Sequence, residues 1–186
     1  MVSQLCFFAS IAFSLVAWGI VTARYVWPKL RLRPRVEALR PLLVLHGFRF
    51  VGLAFLVPGV VSPDLPPAFA RAAAYGDVTA AVLALLSLWS LPGAAGVVLA
   101  WIFNLWGAAD LVNAFYQANA SGLVAGQLGA AYFLPTLGVP LLLVTHALVF
   151  RILLQRQGEP VVRESLRSAA RATPALSHAP SPGQSR

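Results

Sequence analysis

VTAAVLALLSLWSLPGAAGVVLAWIFNLWGAA, residues 78–109, is a run of 32 residues without a charged side chain. As a single helix rising 1.5 Å per residue it would measure about 48 Å, against a bilayer hydrocarbon core of about 30 Å. Leu91-Pro92-Gly93 lies near its middle and offers a break, so the run predicts two antiparallel membrane helices joined by a tight turn.

Reading outward, Ser62-Pro63-Asp64-Leu65-Pro66-Pro67 ends any helix coming from upstream. The predicted spans are then 3–23, 41–61, 72–91, 93–116 and 127–150, the third being short and the fifth interrupted by Pro135 and Pro140. The expected architecture is an all-α integral membrane bundle of five transmembrane helices, residues 1–156, because an open sheet cannot satisfy its backbone in lipid. Residues 157–186, rich in Pro, Ser, Ala and Arg, are expected to form a basic unfolded tail. A short amphipathic helix through Val161, Val162, Leu166 and Ala169 is the alternative there.

The composition agrees. Hydrophobic residues make up 59% of the chain and charged residues 11%, where soluble domains carry about 45–50% and about 25%. A soluble globular enzyme and a disordered chain are both excluded. The net charge of +8 is concentrated in the connector 24–40 and the tail, so it reads as a topology signal and not as a nucleic-acid surface. Positive residues in short loops mark the cytoplasmic side, which puts the N-terminus outside and the C-terminus in the cytoplasm of a plasma (inner) membrane. Cys6 is the single cysteine, so no disulfide forms within one chain. HExxH, GxGxxG and P-loop motifs are missing, and Asn119-Ala120-Ser121 matches a glycosylation acceptor in an expected outer loop.

Ionisable residues inside spans cost about 2.5–3.5 kcal/mol near the bilayer centre, and each is a functional candidate by default. The candidates for a polar core are His46, Arg49, Asp77, Asp110 and His146, with Asn104 and Asn113 as neutral companions. His46 and His146 lie at one depth near the cytoplasmic ends of two helices, where they could bond to backbone carbonyls, pass a proton, or ligate haem or a metal. No cofactor is otherwise expected. Arg49 shares a face with His46 and matches Asn104 in depth better than Asp110. It could bond to carbonyls between helices or bind an anion such as a carboxylate or lipid phosphate. Asp110, Asn113 and Gln117 form a stripe toward the outer surface. Asp77 reads as the N-cap of the third helix or as the partner of Asp110 in a proton or cation site.

His46-Gly47-Phe48-Arg49, Tyr75-Gly76-Asp77, Asn104-Leu105-Trp106-Gly107-Ala108-Ala109-Asp110-Leu111, Val139-Pro140 and Thr145-His146 together resemble a group of small uncharacterised bacterial integral membrane proteins. The resemblance spans about 15–154. It implies a bacterial inner-membrane location and carries no activity. Binding or translocation of a small molecule, ion or lipid through the polar site is the leading expectation. The alternatives are a bis-histidine haem or metal redox protein, a lipid-modifying enzyme, and an accessory subunit meeting a partner or a second copy of itself.

Overall fold

The computed structural model describes residues 2–155; the expectations for the basic tail lie outside the described residues. Five helices are long and apolar enough to cross a membrane: α1 (Val2–Leu30), α2 (Arg35–Leu56), α3 (Pro67–Ser90), α4 (Ala94–Ala120) and α5 (Leu134–Leu154). The architecture is all-helical, with no strand among the described residues.

Two of these helices are locally widened, for one reason. α1 is π-helical over Thr22–Val26, two residues before Pro28, and α5 over Leu134–Gly138, two residues before Pro140. A proline ring clashes with the carbonyl four residues back, here those of Arg24 and Thr136. Both carbonyls lie within the widened turns, which give them room to move aside.

α2 changes pitch instead. It is α-helical over Arg35–Gly47 and 3₁₀-helical over Phe48–Leu56. Three residues per turn bring every third side chain to one face, and the buried residues of that segment are Arg49, Gly52 and Phe55. α2 stops at Leu56 and not at 61, because Val57 is extended (φ −91°, ψ 117°) ahead of Pro58.

α3 starts at Pro67, a first-turn position that suits proline, so the expected short third helix has in fact 24 residues. It buries small residues, among them Ala70, Ala73, Ala80, Ala81 and Ala84, and small residues let neighbouring backbones approach closely. At the α3–α4 turn Ser87 Oγ donates to the Gly96 carbonyl at 2.8 Å. The fifth helix starts at Leu134, not at 127. Ala125–Tyr132 forms a 3₁₀ segment broken at Gly129, where φ is +53°, a region that suits glycine. A Cβ at Gly129 would collide with the Val60 carbonyl, and this segment is tied to the α2–α3 loop by Ala130 N–H donating to Val60 O at 2.8 Å.

Two apolar groups fill the bundle. Leu39, Leu43, Phe103, Val149 and Ile152 pack near one end, and Phe55, Leu65, Phe69, Leu128 and Ala131 near the other. α1 buries only Ser14 and Leu30. It is held by Trp18 Nε1 donating to Leu137 O at 3.2 Å and by Gln4 Nε2 donating to Leu123 O at 3.3 Å.

Candidate functional site: a buried arginine between two aspartates

Between the two apolar groups, the 3₁₀ turn of α2 aims Arg49 at α3 and α4 together. Nε donates to Asp77 Oδ1 at 2.7 Å, and NH2 donates to Asp110 Oδ2 at 2.7 Å. NH1 donates to the Gly107 carbonyl at 3.3 Å and to His146 Nε2 at 3.2 Å. The arginine side chain has 0% exposure, against 18% for Asp77 and 9% for Asp110. A guanidinium suits this place because its planar fork serves several acceptors at once.

The neighbours fix the histidine tautomers. His146 Nε2 accepts from an arginine N–H, so its proton is on Nδ1, which donates to Asn104 Oδ1 at 2.7 Å. Asn104 Nδ2 donates in turn to the His146 carbonyl at 3.3 Å. The Thr145 hydroxyl donates to carbonyls of its own helix, at 2.9 Å to Leu141 O, and therefore accepts from His46 Nε2–H at 3.0 Å. His46 Nδ1 is then a buried lone pair with no hydrogen-bond partner among the described residues. The two imidazoles lie against each other, ring centroids 4.3 Å apart, with Phe103 stacked on His146 at 5.2 Å.

Glycines make room for the polar groups. A Cβ on Gly52 of α2 would overlap the Asp77 carboxylate, and one on Gly76 of α3 would overlap the Asp110 carboxylate. One on Gly107 of α4 would come within 2.6 Å of His146 Cε1 and 2.8 Å of Arg49 NH1. Each helix thus offers a bare stretch of backbone to a polar side chain of the next helix in the chain.

The cluster forms part of the wall of a cavity of about 200 Å³. Among the described residues, Arg49, Asp77 and Asp110 are the only charged ones lining it, and the rest of the wall is apolar, with Phe7, Phe48, Phe55, Phe69 and Phe115 among its side chains. Phe7 comes from α1, so the peripheral helix also reaches the cavity.

Six of the seven expected polar residues meet here: His46, Arg49, Asp77, Asn104, Asp110 and His146. Asn113 is exposed and lies outside the cluster. Asp77 is not an N-cap, since α3 begins ten residues earlier at Pro67. Arg49 pairs with Asp110 and Asp77 and not with Asn104, which joins the network only through His146. Nor is Arg49 an open anion centre, because two internal carboxylates already occupy it. The histidine pair does not fit axial haem ligation, which needs two imidazole nitrogens facing each other across a porphyrin. Here the rings are in contact, and the two Nε2 atoms are taken by Thr145 and Arg49. An arginine at Nε2 likewise disfavours a metal cation there.

Gly52, Gly76, Gly107 and Thr145 complete the site, and none of them carries an ionisable side chain that marks it in the sequence. The signal available for three of them is spacing: Gly76 adjoins Asp77, while Gly52 and Gly107 lie three residues from Arg49 and Asp110.

Fold and site together define a five-helix bundle of membrane-spanning proportions, built around a buried arginine–dicarboxylate cluster on the wall of an apolar cavity. A family described as "Domain of unknown function (DUF8737)" matches residues 6–154, and the chain belongs to that family. No curated protein and no solved structure matches the chain.

Proposed function

We propose that this is an integral membrane protein that takes up a small, largely apolar molecule in the cavity among its helices, for binding or passage, with Arg49, Asp77 and Asp110 meeting its polar end. The observation that carries the reading is the position of the ionic cluster on a cavity wall. A purely architectural ion pair gains nothing from an adjacent void, and a cavity of this size suits a ligand of about one aromatic ring. Filling the cavity tests it. Saturating tert-butylbenzene is expected to raise the thermal midpoint of the native protein by about 5 °C or more, from ligand linkage, and to leave Ala114→Phe unmoved. An equal response of both proteins, or of neither, removes the reading.

We further propose a bacterial inner membrane as its setting, with the basic connector 24–40 cytoplasmic and the loop around Asp64 outside. The charge distribution and the positive-inside tendency support this. In a Cys6→Ala background, Asp64→Cys is expected to react with a membrane-impermeant maleimide on intact cells, and Arg33→Cys only after lysis. The opposite pattern inverts the orientation.

A further inference from the structure

Two carboxylates and one guanidinium leave the cluster one positive charge short. His146 does not supply it, because Arg49 donates to its Nε2 while its Nδ1–H is given to Asn104, which describes a neutral ring. No other charged side chain among the described residues lines the cavity, and α1 brings only Phe7 to it. A buried negative charge without a counter-ion is strongly unfavourable, so the missing charge must come from a proton or from an occupant. The wall favours a particular occupant. Five phenylalanines, from α1, α2, α3 and α4, line it, and aromatic ring faces attract organic cations electrostatically. An anion meets the reverse, since four guanidinium N–H groups are already donated to protein acceptors.

We infer that the cavity holds a small organic cation, an alkyl- or arylammonium ion whose charged end lies at the Asp77 and Asp110 carboxylates and whose apolar body lies against the phenylalanines. A proton on either carboxylate is its competitor, because it supplies the same charge. The titratable and charged groups of the cluster are His46 and Arg49 from α2, Asp77 from α3, Asp110 from α4 and His146 from α5. Protonation of either aspartate or of either histidine makes the site less negative, so cation affinity falls as pH falls.

This inference rests on the reading that the cavity holds a small molecule, and three probes separate the two. Phenyltrimethylammonium has a fixed charge, tert-butylbenzene is its neutral isostere, and benzenesulfonate is an anion of similar size. With purified protein in zwitterionic nanodiscs at pH 8, phenyltrimethylammonium is expected to bind at least tenfold more tightly than tert-butylbenzene, with benzenesulfonate weakest. The preference is expected to shrink steadily toward acid pH, and in Asp110→Asn the ratio of the first two affinities is expected to fall to about one. Should that variant fail to fold, the pH series on the native protein carries the same test. Equal affinities for the cation and its isostere, an anion preference, or a cation preference that does not change with pH would each overturn the inference while leaving the cavity reading intact. Binding of none of the three overturns both.

Discussion

Arg49→Met is expected to destabilise the protein by about 3–5 kcal/mol, because it strands two carboxylates in a low-dielectric interior with nothing between them. The single substitution does not say whether the cluster serves the fold or a ligand. The triple variant Arg49→Met/Asp77→Asn/Asp110→Asn does. Removing every charge from a buried ionic group and keeping its volume is often neutral or stabilising, so the triple variant is expected to regain most of the lost stability in reversible unfolding from mixed micelles. A cluster kept only for architecture would then leave a protein with full ligand response. Loss of phenyltrimethylammonium binding in a well-folded triple variant is the expected result. If the triple variant is as unstable as Arg49→Met, polar groups outside the three charges hold the site together.

Gly76→Ala carries the second large effect, with a sign opposite to the ordinary one. Within a helix this change normally stabilises by about 1 kcal/mol, since alanine loses less backbone entropy. Here the added carbon would overlap the Asp110 carboxylate, which is fixed at 2.7 Å to Arg49 and has little freedom to retreat. Overpacking costs about 1–3 kcal/mol, so a net loss of up to roughly 2 kcal/mol remains after the propensity gain is subtracted. Gly19→Ala is the control, because a Cβ there meets nothing within 4 Å. That variant is expected to show the ordinary gain, up to about 1 kcal/mol. Equal behaviour of the two would mean that the α3–α4 contact is looser than the geometry describes.

The number of helices and their main breaks were legible in the sequence, because Leu91-Pro92-Gly93 and the proline-rich loop at 62–67 act locally. The starts of α2, α3 and α5 were not. A start at Pro41 would put Arg49 about 12 Å along its helix, but α2 begins at Arg35, which puts Arg49 about 21 Å along it. Asp110 is about 24 Å from the start of α4, and Asp77 about 20 Å from the end of α3. On true bounds, depth arithmetic alone would have joined the three charges. Asp77 was ambiguous because a Gly-Asp pair before an apolar stretch resembles a helix start, and only the helix entry at Pro67 resolves that. The histidine pair was legible as a pair. Its roles were not, because Thr145, Asn104 and Arg49 assign the tautomers and all three contacts cross between helices. The pitch change at Phe48 was also hidden, since the three-residue spacing of Arg49, Gly52 and Phe55 suits an α-helix nearly as well.

The glycine contacts between successive helices bear on how the protein is made. Gly52 receives Asp77, Gly76 receives Asp110, and Gly107 receives His146, so each contact joins a helix to the one synthesised after it. Until α3 brings Asp77 to it, a newly inserted α2 exposes Arg49 to surroundings that penalise a charge by about 2.5–3.5 kcal/mol. That penalty is relieved only when rotation and register are both correct, so a nascent chain has a thermodynamic reason to reject wrongly ordered neighbours before the last helix emerges from the ribosome.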